Sequence, residues 1–588
     1  MVKTAGERPG AARKWDEGAS IFALLSSTAI LVALGYVLLV KADATYVSYF
    51  LNDVFGLADS AYRVALGLVP SIDFFSQYGV ATYYPTAVGL LLDYTVGGAF
   101  AFGSLLTTSF LLVAACFAAR RRLSTLPSLV LLLFLFLLAA VPNRPGGAFF
   151  ELTWGILYTR LGWAGLAIVL LYYLEPRRIF RYDLWVDSVI LSLLLLFLFY
   201  LKITFGLVAF GFLIANAVTS KYKFRLAVTS LAICMAVTLA IEVASGYNAA
   251  YLHDIFGGSS GGSSGGSSGV SDVGSSGSSS DGLVGGRRQW SIMLGLVRGH
   301  RLEIFLSYAA LAVVFFAGRR SVLDFLFVTG CLVAAFLLLF TSGGIDKGLF
   351  SLVAVFLVLG ELAQRRELPG VRSDGVLGWP QRVASTLIFM LFLGFAAEPS
   401  YVAARGLWHH FTAVSKAQSA GEPHLGGIYV PRRTTGPNRD IHEALGHDDD
   451  AHAELNRRRK KQLRAWEYAP LIDEGVQLLE SVPLDGKAVV TFEQTNPFQV
   501  LLGLRPTSGG RPLHYISPRA ATRINAASEE ALRRVSERFF FDADYVMVPT
   551  VPYKVMQLEN MQAAYGNYLE ENFRELKRSE HWRLYERR

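Results

Sequence analysis

The sequence predicts an α-helical polytopic membrane protein of about eleven spans, with a small α/β domain on its outer side. Three observations predict it. Of the 588 residues, 52% are hydrophobic and only 17% charged, with a mean hydropathy of +0.38, whereas soluble chains carry about a quarter charged residues. Apolar runs recur until about residue 397 and then stop; their length suits the roughly 20 residues a helix needs to cross the hydrocarbon core. Lysine and arginine also alternate in density from one connection to the next, as membrane orientation demands. A purely soluble globular protein is excluded.

The predicted spans are 21–40, 98–119, 126–142, 158–174, 184–200, 204–219, 226–245, 302–317, 322–341, 349–363 and 383–397. Basic clusters stand at the N-terminus, Arg120–Arg122, Arg177/Arg178/Arg181, Lys221/Lys223/Arg225, Arg319/Arg320 and Arg365/Arg366/Arg372/Arg382. The alternate connections carry only Lys41, Arg63, Arg144, Arg160, Lys202 and Lys347, the long 246–301 connection aside. The tail 1–20 is therefore expected in the cytoplasm, 21–397 in the membrane, and 398–588 outside it. The first apolar run is long enough to stay in the bilayer, so it reads as a span and not as a cleaved signal. The net charge of +8 sits largely in these clusters, and nucleic acid is not an expected partner. Cys116, Cys234 and Cys331 lie inside apolar runs and suggest neither a disulfide framework nor a zinc site.

All ten histidines fall in outer connections or the outer domain. The spans thus lack the His/Asp/Glu chain of a proton-driven pump, although Asp187 and Glu242 remain as inner carboxylates. The Gly/Ser stretch 257–286 cannot bury apolar surface and reads as a flexible tether. In the outer domain AVVTF (488–492) and DYVMVP (544–549) read as buried strands, and 528–540 has helical spacing. The run His442, His447, Asp448–Asp450, His452 reads as a solvated polar loop and not a metal site, and Arg457–Lys461 as a solvated helix face.

The connection 41–97 is too long for a plain link and too apolar for a solvated one. Residues 58–69 put Ala61, Val64, Ala65 and Leu68 on one face, the pattern of a helix lying at the membrane interface and ended by Pro70. Residues 82–94 make a second such element. Asp59 and Asp73 are thereby expected at the membrane surface, where a carboxylate can serve as a general base. Asp59 as a helix N-cap is the structural alternative.

The run Asp59-Ser-Ala-Tyr-Arg-Val-Ala-Leu-Gly-Leu-Val-Pro-Ser-Ile-Asp73-Phe-Phe-Ser-Gln-Tyr-Gly79 resembles the first-loop signature of bacterial GT-C glycosyltransferases, multi-pass enzymes that take sugars from polyprenyl-phosphate carriers. Tyr158-Thr-Arg160-Leu-Gly-Trp163, Lys202-Ile-Thr-Phe-Gly206, Thr495-Asn-Pro-Phe498 and Trp582-Arg-Leu-Tyr585 are similar to other parts of such chains. The resemblance implies a GT-C-like membrane domain in a bacterial inner membrane. It also implies inverting transfer of a sugar from a polyprenyl-phosphate carrier to a glycolipid, polysaccharide or protein acceptor at the outer face.

In that reading Asp59 accepts the acceptor's proton, and Lys202, then Arg160 and Arg63, meet the leaving phosphate. Tyr78, Gln77 and Tyr62 line the sugar pocket. The usual acidic pair is here Asp59-Ser60, so a second carboxylate comes from Asp73 or Asp53. No metal site is assigned and no cofactor beyond the lipid-linked donor is implied, while a divalent ion is neither required nor ruled out. Two other readings are a flippase or permease for a lipid-linked saccharide, and a polysaccharide polymerase or ligase. A permease would show broken spans in matching halves, and no such internal repeat is seen; a polymerase usually places its large outer loop between late spans, whereas here the first loop is the elaborate one.

Overall fold

The computed structural model describes residues 9–177, 182–256, 295, 297–316, 321–341, 349–364, 379–421, 425–431, 463–508, 512 and 528–588. The Gly/Ser stretch, the 442–452 histidines and the 457–461 basic run lie outside the described residues. The chain is a helical membrane protein. Among the described residues six helices are long and apolar enough to cross a bilayer, and Thr125–Ala140, Leu157–Tyr173, Ile203–Ala217 and Leu352–Gln364 are shorter apolar ones.

In chain order the helices are α1 (Pro9–Gly35), α2 (Leu51–Ala65), α3 (Tyr84–Leu91), α4 (Val96–Arg122), α5 (Thr125–Ala140), α6 (Leu157–Leu170), α7 (Asp183–Leu201), α8 (Ile203–Ala217), α9 (Lys221–Ser245) and α10 (Tyr247–Phe256). Further along the chain follow α11 (Arg301–Phe316), α12 (Val322–Thr341), α13 (Leu352–Gln364) and α14 (Trp379–Ser419). Each predicted span falls on one of these helices. At about 1.5 Å per residue, the 41 residues of α14 extend about 60 Å, twice the hydrocarbon thickness. Its second half therefore belongs outside the span predicted at 383–397. A short parallel pair, Thr45–Tyr46 (β1) with Ile428–Tyr429 (β2), ties the first loop to the segment that follows α14.

Ion pairs fasten the helices at the basic-cluster end. Arg122 donates to Asp187 at 2.6 Å with both side chains fully buried, and Arg121 reaches Asp183 and Asp187 at 3.0 and 3.3 Å. Tyr222 Oη adds a hydrogen bond to Asp187 at 2.8 Å. Glu242 accepts from the backbone N–H groups of Asn248 and Ala249, which cap the start of α10. Both inner carboxylates singled out in the sequence are thus occupied structurally.

The C-terminal part forms a four-stranded sheet in the order β3-β4-β6-β5, with β3 Val489–Thr491, β4 Tyr545–Pro549, β5 Phe573–Arg578 and β6 Trp582–Arg587. β3 and β4 are parallel, paired Val490 to Val546; β6 runs antiparallel to both β4 and β5. Alternate residues bury on opposite faces, as the pleat requires. Val490, Val546 and Val548 join Phe540, Met561 and Tyr565 from α17 (Glu529–Phe539), α18 (Val555–Asn572) and the turn after α17. Val489, Met547 and Leu584 face α15 (Ala465–Glu480) and α16 (Pro497–Leu502). The predicted strands and the 528–540 helix are all present. Phe498 and Trp582 prove to be core: their rings meet edge to face at 5.2 Å, and Trp582 Nε1 donates to the Leu471 carbonyl at 2.6 Å.

The first loop differs from its sequence reading. Its helix begins at Leu51, seven residues before the predicted start, because Leu51, Val54, Phe55 and Ala58 extend the apolar face. Residues 51–61 are buried except Asp53. The helix does not lie open on an interface: α15 and α16 pack over it. Asp59 stands mid-helix and is not an N-cap. The second element shortens to α3, preceded by a 3₁₀ turn at Val80–Thr82.

Gly79 explains the Tyr-Gly turn. Its N–H points to the Leu201 carbonyl at 3.4 Å, and a Cβ there would stand 2.0 Å from the Tyr200 carbonyl oxygen. Backbone cannot move aside as a side chain can. Gly79→Ala is expected to lower stability by about 1–3 kcal/mol through overpacking, read as a fall in detergent-solubilised melting temperature. An unchanged melting temperature would show that the loop does not dock tightly on α7.

Candidate functional site

The predicted site residues separate into three places. Asp59 and Arg63, one helical turn apart on α2, form a fully enclosed pair at 3.2 Å. Arg63 also donates to the Thr507 carbonyl at 2.9 Å and to Gln499 Oε1 at 3.0 Å. The pair is therefore a polar contact between the first loop and the sheet domain. Burial raises the Asp59 carboxyl while Arg63 draws it down. Tyr62 lies beside it, its hydroxyl 4.0 Å from where a side chain on Gly503 would begin. Asp73 is exposed and accepts the Val69 N–H at 2.6 Å, closing the turn that leads out of α2.

The second place is a cluster of ionisable side chains around Asp53, near the start of α2. Asp53 retains limited contact with water, but the surrounding protein pushes its carboxyl up to about 6, against the attraction of Lys554. Gly155 lets the next segment close on it, since a Cβ at that position would come within 2.7 Å of Asp53 Cβ. From the sheet domain come Glu493, just beyond β3, and Tyr553 and Lys554, just beyond β4. All three follow the carboxyl ends of the two parallel strands, the edge where open α/β sheets form ligand crevices. Glu493 Oε1 accepts the Tyr553 N–H at 2.8 Å, while its Oε2 has no hydrogen-bond partner among the described residues. Thr495 Oγ1 donates to Asn52 Oδ1 at 2.5 Å, seating this edge on α2 beside Asp53. Lys554 is drawn by both carboxylates.

Burial moves Glu493 up to about 8, so at neutral pH it is a carboxylic acid able to donate a hydrogen bond. Its folded value lies above the ordinary 4.5, so its stabilising contribution is complete below pH 4.5 and is lost as pH rises through 8. By pH 9 that loss approaches about 5 kcal/mol. Glu493→Gln is expected to flatten the decline in melting temperature between pH 5 and 8. A variant that declines in parallel with wild type would show that Glu493 is not held protonated.

The third group straddles α6. Tyr78, raised well above its usual range chiefly by burial, packs against Tyr158 at a 31° tilt with ring centroids 4.4 Å apart. Lys202, buried between α7 and α8, has its ammonium 5.2 Å from the Tyr158 ring centroid. The charge of Asp53 is felt at Tyr78, which places this group next to the Asp53 cluster. Gln77, in the same turn, is partly exposed. Arg160, two residues beyond Tyr158, leaves α6 on another side, with its guanidinium 5.7 Å from the Trp154 ring. The sequence reading grouped Arg160 with Lys202 on one phosphate; a helix turns about 200° over two residues, and the structure separates them.

Among the described residues no three His, Cys, Asp or Glu side chains gather as a metal set. Sequence reasoning named Asp53 only as a reserve and missed Glu493, Tyr553 and Lys554. The available signal was Glu493 directly after an apolar strand, at a strand end where an ionisable residue has no packing role. No family model matches the chain and no curated protein matches its sequence, so a functional reading rests on the chemistry of this cluster.

Proposed function

We propose that the protein is an inverting glycosyltransferase of a bacterial plasma membrane, moving a sugar from a polyprenyl-phosphate carrier to an envelope acceptor at the outer face. It crosses the bilayer about eleven times, with its N-terminus in the cytoplasm and the sheet domain outside. The observation that carries this reading is the Asp53 cluster. A carboxylate shifted toward neutrality, two lysines and packed tyrosines meet where a soluble domain closes over a membrane body.

The chemistry follows from that arrangement. Asp53 takes the proton of the acceptor hydroxyl as its oxygen bonds to the anomeric carbon. The bond from that carbon to the carrier's phosphate oxygen breaks, and the electron pair leaves with the lipid phosphate. Lys202 and Lys554 are placed for the charge that grows there, in a setting poor in water where such contacts count most. Asp53 then releases its proton to solvent. Tyr78 and Tyr158 offer ring faces and hydroxyls to the sugar, and protonated Glu493 donates to one of its oxygens. Asp59 is the weaker candidate for the base, because an enclosed carboxylate bonded to Arg63 has no free approach. The structural occupation of Asp187 and Glu242 also supports transfer over ion-coupled transport.

The test is genetic complementation in the source organism. A deletion strain carrying wild type, Asp53→Asn or Asp59→Asn, at matched membrane levels, is compared for envelope glycans by mass spectrometry. The expected result is a sugar mass restored by wild type and absent with Asp53→Asn. Full restoration by Asp53→Asn removes the proposed base, and no glycan change on deletion overturns the reading.

A further inference from the structure

A separate cavity of about 520 Å³ opens between the ends of α5, α6, α11 and α13, the middle of α14 and the loop 143–150. Arg160 lines it while only 1% exposed, and its Nε and both terminal nitrogens have no hydrogen-bond partner among the described residues. Trp154 Nε1, beside it, is likewise unpartnered. A buried guanidinium with no acceptor is a feature that native structures avoid, because each lost bond to a charged group is costly. Arg144, held loosely by Glu151 at 3.9 Å, lines the same cavity. Two carboxylates also line it, but Glu303 is engaged by His300 at 3.1 Å and Glu398 is exposed. The remaining wall is apolar, with Phe350 and Phe395 among its members.

We infer that this cavity is a binding site for a membrane lipid with an anionic phosphate head, its phosphate on Arg160 and its chain along the apolar wall. Arg160 supplies a planar donor fork that matches two phosphate oxygens. Arg144 adds a second positive charge. The site is distinct from the Asp53 cluster, and its occupancy does not depend on sugar transfer. Any lipid with that head chemistry is a source, whether a bulk phospholipid or a polyprenyl phosphate.

The full-length protein, delipidated in detergent, is titrated with dioleoyl-phosphatidylglycerol, dioleoyl-phosphatidylethanolamine, a short polyprenyl phosphate and uncharged dioleoylglycerol. Bound lipid is counted by native mass spectrometry. Phosphate-bearing lipids are expected to bind at least about tenfold tighter than dioleoylglycerol, the value of one contact to a charged group. Arg160→Gln is expected to abolish that preference and Arg160→Lys to keep part of it. Ala403→Trp, which fills the cavity without touching its charge, is expected to weaken all four lipids. Matching melting temperatures confirm that the variants are folded.

Selective tight binding of the polyprenyl phosphate alone names a carrier, whereas equal binding of all three phosphates names bulk phospholipid. Unchanged binding by Arg160→Gln and Ala403→Trp overturns the site. Inorganic phosphate that competes as strongly as the lipids overturns the lipid assignment.

Discussion

Replacing Asp53 by asparagine is expected to lower sugar transfer by about 10²–10⁴-fold, the usual contribution of a positioned general base. The wild-type rate should climb with pH through about 6, where burial sets the Asp53 carboxyl, because only the ionised form accepts a proton. Stability moves the opposite way. The folded value lies above the ordinary 3.8, so the stabilising contribution is complete below pH 3.8 and is lost as pH rises through 6. The loss amounts to about 3 kcal/mol at the upper end. Asp53→Asn removes this penalty, and the variant should melt no lower than wild type at pH 8 while failing to transfer. Loss of activity without loss of stability is the mark of a site residue held at a cost. A variant that transfers normally, or one that simply unfolds, counts against the assignment. The measurement is transfer of label from membrane lipid to acceptor between pH 5 and 8, with melting curves at each pH.

Asp59→Ala is expected to act through structure. It leaves Arg63 as a buried, uncompensated charge, and breaking such a pair typically costs about 3–5 kcal/mol. The damage should appear at the seam between α2 and the sheet domain, where Arg63 also holds Thr507 and Gln499. Limited proteolysis between 421 and 463 is its direct readout. The double variant Asp59→Ala/Arg63→Met removes both charges and should regain most of the lost stability and most of the transfer. That recovery separates an anchor from a base, since a lost base is not restored by deleting its partner. If Asp59→Asn folds as wild type yet transfers no better than Asp53→Asn, the base is Asp59 and the pair is catalytic.

These two carboxylates show where sequence reading reaches and where it stops. Both stand six residues apart in one apolar helix, and nothing in their local pattern says which is locked and which is open. The difference comes from residues more than 400 positions away: Gln499 and Thr507 close on Asp59 and Arg63, while Glu493 and Lys554 gather at Asp53. Tyr78 and Lys202 were legible because a Tyr-Gly turn and a cation between two spans are local signals. Arg160 was legible as a cation near the outer start of a span by its type and position. Its direction was not, since two residues of helix separate it from Tyr158 by about 200° and only packing shows what lies on each side.

The sequence by itself determined the membrane class, the placement of every predicted span on a helix, and the strands and helix of the C-terminal sheet. Each of those depends on a periodicity or a run length that local chemistry enforces. The tertiary structure alone decided that α2 is roofed by the sheet domain, that Asp53 and not Asp59 sits in the ionisable cluster, and that a cavity forms behind α6. Those outcomes depend on which distant surfaces meet, and burial raises or quenches a charge only once they have met.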